Sequence, residues 1–139
     1  MKGIYILIVQ LGRDVDITVG ALGRLHFSQG LYAYVGSAQS SLETRIERHF
    51  RREKRKFWHV DYLLDDPAMK IVKTYVSNAS KAKECKIARE IGQKGVPIAG
   101  FGCSDCKCRS HLVRLDSLGL SQLHRTGFAA IFRDCRNVT

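Results

Sequence analysis

Residues 2–11 read KGIYILIVQL, a run rich in Ile, Tyr and Val with no helix breaker inside it. Such a run predicts a β-strand buried on at least one face, because β-branched and aromatic side chains suit a pleated, covered surface. Period-two alternation places Tyr5 on one face with Leu7 and Val9. A turn-like Leu11-Gly12-Arg13-Asp14 follows, and then VDITVGALGRLHFSQGLYAYVG, punctuated by Gly20, Gly23 and Gly30. This predicts further short strands, most economically an antiparallel meander. In the last of them Tyr32 and Tyr34 share one face, opposite Ala33 and Val35, and Gly36 ends it.

The next residues change period. Ser40-Ser41-Leu42-Glu43 has the Ser-x-x-Glu form of a capping box and predicts a helix starting near residue 41. Leu42, Ile46 and Phe50 form its core stripe, bordered by Arg45, His49, Arg52 and Lys56. Between residues 45 and 56 there are seven Lys or Arg and two acids. The whole chain has 23 Lys plus Arg against 13 Asp plus Glu, a formal charge of +10. A surplus of this size favours polyanions through release of phosphate counterions, so nucleic acid is the first partner to weigh. The plain alternative is a solvated helix face. No stretch reaches the roughly 20 apolar residues of a membrane span, so a cytoplasmic protein with no membrane partner is expected, although a basic face can also meet acidic proteins or membrane surfaces. Five cysteines, an odd number, suit reduced thiols or a metal better than a secreted disulfide framework.

The spacing Tyr34-Val-Gly-Ser-Ala, six residues, Arg45, three residues, His49, with Gly-Ile-Tyr at residues 3–5, resembles the GIY-YIG nuclease superfamily over residues 3 to about 90. The stretches WHVDYLL and FGCSDCKCRSHL point further to a little-characterised archaeal and bacterial branch of GIY-YIG-like proteins. The resemblance implies an α+β domain with a small central antiparallel sheet flanked by helices. It also implies one divalent ion, magnesium or manganese, and cleavage of a phosphodiester, in DNA by expectation, through attack of water.

On that resemblance Tyr5 activates the water, Tyr34 orients Tyr5 or the water, Arg45 holds the scissile phosphate, and His49 binds phosphate or relays a proton. A phenol with a pKa near 10 is a poor base until positive charge lowers it, and the basic stripe is expected to do so. Arg48, Arg52 and Lys56 are expected on the nucleic-acid backbone. The superfamily takes its metal ligand from a glutamate on a later helix; here Glu84 is preferred and Glu90 stays open. A non-catalytic reading stands beside each residue, with Tyr5 and Tyr34 as cross-strand aromatics, Arg45 as an exposed helix residue and His49 as a boundary histidine. A binding module on the same fold without hydrolysis is the alternative function. Tyr5 and Tyr34 lie 29 positions apart, where the superfamily commonly has a short hairpin, so an extra strand pair is expected around residues 15 to 30.

Downstream, MKIVKTYVSN predicts a strand and residues 80–93 a helix, with Ser80 as its cap. Phe57, Val60 and Leu64 fit a short helix of their own, on which His59 and Asp61 read first as surface residues, with an approach to the site or to DNA as the alternative. Beyond Pro97, Cys103, Cys106, Cys108 and His111 form C-x2-C-x-C-x2-H. Zinc is one reading, although four-ligand structural sites usually join two knuckles across a longer loop. A tight loop of buried thiols leading into a last strand at HLVRL is the other. A small metal or thiol protein organised by residues 103–111 is accordingly a third function class. The organisation expected is one domain over residues 1–139, with a Cys-rich loop and basic extension from residue 97. Because the nucleases it resembles commonly take specificity from an attached domain and none is recognisable here, the resemblance implies a protein partner or a homodimer.

Overall fold

The computed structural model describes residues 2–51, 56, 58–102, 110–116 and 129–131. The apolar N-terminal run forms β1 (Gly3–Leu11), which lies between β4 (Gly30–Ala38) and β5 (Met69–Ser77), antiparallel to both. Short strands β6 (Gly95–Pro97), β7 (Leu112–Leu115) and β8 (Ala129–Ile131) complete a six-stranded sheet in the order β6-β7-β4-β1-β5-β8, antiparallel at every pairing. A central strand must be apolar on both sides, which is why the run shows almost no polar alternation.

The two faces of β1 feed two cores. Tyr5, Leu7 and Val9, with Tyr32 and Tyr34 of β4, pack under α1 (Leu42–Phe50) and α2 (His59–Leu64) through Leu42, Ile46, Val60 and Leu63. Ile4, Ile6 and Ile8, with Ala33 and Val35, pack under Ala88 and Ile91 of α3 (Glu84–Gly92). The result is the mixed α+β architecture expected, with helices on both faces of an antiparallel sheet.

The strand pair expected between the two tyrosine strands is present as β2 (Val15–Thr18) and β3 (Arg24–Phe27), but it is no part of a meander. It forms its own two-stranded sheet, and β1 pairs directly with β4, Tyr5 opposite Gly36. The reason lies in the pattern. β2 buries only Val15 and Ile17 and exposes Asp16 and Thr18, so it covers an edge of the first core and could not enter a sheet buried on both sides.

Helix α1 begins one residue later than the capping box suggested. Its cap is Ser41, whose Oγ accepts the Thr44 N–H at 3.1 Å and donates to Glu43 Oε2 at 3.2 Å. It also ends early, as Arg51 turns extended with φ −70° and ψ 133°. Lys56 therefore does not continue the α1 stripe; its Nζ lies 3.3 Å from the Asp65 carboxylate. Arg52 lies outside the described residues. The helix expected over residues 80–93 opens as a 3-10 turn at Lys81–Lys83, without a side-chain bond from Ser80, and becomes α-helical at Glu84. Among the described residues no helix is long and apolar enough to cross a membrane.

Candidate functional site

Tyr5 sits near the start of β1, opposite Gly36 of β4. A Cβ at position 36 would stand 2.5 Å from both Cζ and Oη of Tyr5, so only glycine lets the phenol lie across that strand. The ring then reaches α1, where Tyr5 Oη and His49 Nε2 share a hydrogen bond of 2.6 Å. Tyr34 packs beside both, its ring centroid 6.4 Å from that of Tyr5 and 6.2 Å from that of His49. Tyr5 and His49 are 1% and 2% exposed, which puts their contact inside the protein rather than on a wet helix face.

That burial reverses one expectation. Desolvation pushes the Tyr5 phenol well above its ordinary value of 10.0, and the nearby Arg45 guanidinium offsets only part of the shift. Tyr34 is pushed up too, first by desolvation and then by the neighbouring Tyr5, Glu84 and Asp61. The basic stripe does not turn Tyr5 into a phenolate at neutral pH, because the cost of burying a charge exceeds the field of one arginine.

Arg45 is fixed at three points. Its Nη1 donates to the Ser37 carbonyl at 3.1 Å, its guanidinium carbon lies 4.4 Å from the Trp58 ring centroid, and its charge faces Tyr5. Arg48, one turn along α1, points elsewhere. It makes a two-pronged ion pair with Asp61, at 2.8 and 3.0 Å, and also lies 4.4 Å from the Trp58 centroid. Asp61 is fully buried, contrary to the surface role expected for it, and it also accepts the Trp58 N–H at 3.0 Å. The ion pair ties α1 to the start of α2, and Trp58, which lines the cavity beside Arg45, packs against the guanidinium groups of both Arg45 and Arg48.

Opposite this group, the first turn of α3 presents Glu84. Its Oε2 is 3.1 Å from His111 Nδ1, which also lies 3.2 Å from the Val35 carbonyl, so Nδ1 carries the proton and donates to both. The other imidazole nitrogen is 3.8 Å from Cys85 Sγ. Burial acts to raise the Glu84 carboxyl, but hydrogen bonds from His111 and Ser37 and the charges of His111 and Lys81 outweigh it and hold the carboxyl below 4.5. His111 is 2% exposed and is brought here by the β4–β7 pairing; its N–H donates to the Phe101 carbonyl at 2.8 Å and its own carbonyl accepts the Val35 N–H.

These groups surround one cavity of about 700 Å³. Tyr5, Tyr34, Arg45, Glu84 and His111, spread over more than a hundred positions of chain, all line it, as do Trp58, His59 and Tyr62 of the α2 region. His49 lies behind Tyr5 and is not on the wall, and Arg48 and Lys56 are not on it either. Of the two glutamates considered, Glu84 is on the wall and Glu90 is exposed elsewhere on α3. Cys103, Cys106 and Cys108 lie outside the described residues, although Gly102 and His111, which flank that run, line the cavity. Among the described residues no cluster of three His, Cys, Asp or Glu is arranged to hold a metal ion. A lone anionic carboxylate still suits magnesium, which keeps several waters and takes the rest of its ligands from substrate phosphate.

A sheet covered on both faces, with an aromatic, arginine and carboxylate cavity at one end of its central strands, is the class of protein that fold and site define. Residues 4–131 match the family described as a domain of unknown function, DUF123, and the chain belongs to that family. No curated protein and no solved structure matches the chain.

Proposed function

We propose that the protein hydrolyses phosphodiester bonds of nucleic acid, DNA by expectation, with one magnesium or manganese ion, in the manner of the GIY-YIG nucleases its motif spacing resembles. The observation that carries this reading is the convergence of Tyr5, Tyr34, Arg45 and Glu84 on one cavity. The resemblance alone nominated those four residues, and cross-strand packing of two tyrosines would not also draw in an arginine and a carboxylate.

Glu84, kept anionic by its donors, would hold the ion, which when bound supplies charge neutralisation at the phosphate and acidifies coordinated water. Arg45, with its guanidinium braced on Trp58 and Ser37, binds the phosphate through its remaining donors. Tyr5 works as a neutral relay. Its oxygen takes a proton from the attacking water while its own proton passes along the 2.6 Å bond to His49 Nε2, so no buried phenolate forms. Of the two roles considered for His49, its place behind Tyr5 supports the relay. Tyr34 fixes the orientation of the Tyr5 ring.

The test compares wild type, Arg45→Ala and Glu84→Ala on labelled single-stranded, duplex and branched DNA with magnesium, manganese or chelator. Metal-dependent cutting by wild type and its loss in both variants is expected. The second reading, a binding module without hydrolysis, is favoured by the burial that keeps both phenols protonated. Salt-sensitive DNA binding by all three proteins, with no cutting under any condition, would establish it and remove the first.

A further inference from the structure

The cavity is larger than phosphate chemistry requires. At about 700 Å³ it falls within the roughly 300–1,000 Å³ of sites that enclose a drug-sized ligand, so it admits a whole nucleotide. Its lining also has two characters. Tyr5, Arg45, Lys81 and Glu84 give it a phenol, cations and a carboxylate, whereas Trp58, His59 and Tyr62 line an aromatic recess together with Gly20 and Ala21. The two parts join at Arg45, stacked 4.4 Å from the Trp58 centroid.

We propose that this recess receives the base next to the scissile phosphate, turned out of its stack, which makes single-stranded or locally unpaired nucleic acid the substrate class. The inference rests on the hydrolytic reading above and adds what that reading leaves open. A base inside a duplex has both faces covered and cannot enter a cavity without leaving its neighbours, a change that costs least where the base is already unpaired. Aromatic walls accept any base, because every base has a π-face.

Position 20 has no side chain and a φ of +46°, and a Cβ there would stand 3.3 Å from Cε2 of Tyr62, so glycine at this turn keeps a side chain from crowding the ring. His59 Nδ1 accepts the Gly102 N–H at 2.8 Å, which leaves the imidazole proton on Nε2 as a donor for a base edge. Burial lowers the His59 pKa, so the ring is neutral near pH 7 and discriminates by hydrogen bonding rather than by charge.

The experiment measures binding in chelator, where nothing is cut. Short oligonucleotides carrying one 2-aminopurine are titrated as single strand, gapped duplex and intact duplex. Wild type is expected to bind the first two about tenfold or more tighter than the intact duplex and to quench the probe by stacking. Tyr62→Ala should lose about tenfold in single-strand affinity together with the quench, while Tyr62→Phe keeps both. Ala21 is exposed at the recess, so Ala21→Phe fills it without touching the core and should reproduce the loss with an unchanged melting temperature. Equal affinity of wild type for single strand and duplex, or wild-type binding by Tyr62→Ala and Ala21→Phe, overturns the proposal. If the binding pattern holds and magnesium brings no cleavage, the hydrolytic reading falls and the recess stands; absence of all binding overturns both.

Discussion

Gly36 faces Tyr5 across the β1–β4 ladder, and the end of the phenol occupies the space a side chain at position 36 would need. The glycine of the Tyr-Val-Gly triplet thus has a physical task. It lets a tyrosine on one strand cross its neighbour and reach a histidine on a helix, an arrangement any larger residue would break.

Gly36→Ala should therefore act on the Tyr5–His49 bond before it acts on the fold. The added methyl, 2.5 Å from the ring, must push the phenol aside. Overpacking of this kind costs about 1–3 kcal/mol, which a chain with two cores on one sheet should survive. Nuclease activity is expected to fall by about a hundredfold or more, the scale of losing a general acid–base group, with the protein still folded by circular dichroism. Wild-type activity in Gly36→Ala would refute the relay.

The Arg48–Asp61 pair should govern stability instead. Asp61 is fully buried and takes both prongs of the guanidinium plus the Trp58 N–H. Asp61→Ala strands a largely buried arginine and frees an amide, and breaking a buried pair from one side costs about 3–5 kcal/mol. Urea unfolding of Asp61→Ala and Arg48→Ala should show losses of that order. If Arg48→Ala instead lowered DNA affinity with unchanged stability, Arg48 would belong to the binding surface after all.

What sequence reasoning could and could not reach follows from the range of the signals. The strand at residues 3–11 was legible because every side chain in it declares a covered strand, and so were the extra hairpin and the strand at residues 69–77. Tyr5, Tyr34 and Arg45 are nominated by spacing that resembles a family, and Glu84 by that family's use of a glutamate on a later helix; the structure brings the four to one cavity. Asp61 was read as surface because its partner is 13 residues away and an isolated acid in a helix looks solvated. The end of α1 was missed because the basic run from residue 45 to 56 continues past Phe50 without a breaker. The contact of Cys85 and Glu84 with His111 depends on β7 pairing with β4, a long-range register that no local pattern reports. Strands β6 and β8, three residues each, are too short to show a period.

His111 should set metal affinity, since its Nδ1–H donates to the carboxylate of Glu84 that would hold the ion. Removing a hydrogen bond behind a ligand costs about 10–100-fold in metal affinity. His111→Ala is expected to raise the magnesium concentration for half-maximal cleavage by that factor. His111→Asn, which keeps an N–H donor near the position of Nδ1, should recover part of it. A pure packing role would instead lower the melting temperature in both variants and leave the magnesium dependence of the folded fraction unchanged.

Glu84 itself should leave a mark on acid stability. Its folded pKa is lower than the 4.5 of an ordinary glutamate, because the bonds from His111 and Ser37 outweigh the burial that acts against them. Above 4.5 the carboxylate is ionised in both folded and unfolded chains, and its favourable contacts contribute in full. As pH falls below that value the unfolded chain takes up its proton first and is stabilised relative to the fold, so the contribution disappears as pH passes down through the folded pKa. Glu84→Gln should accordingly be less stable than wild type at neutral pH, and the two denaturation midpoints should approach each other in acid. Curves that stay parallel across that range would mean that the His111 and Ser37 bonds do not favour the charged carboxylate. Glu84 would then have no claim to be held ready as a metal ligand.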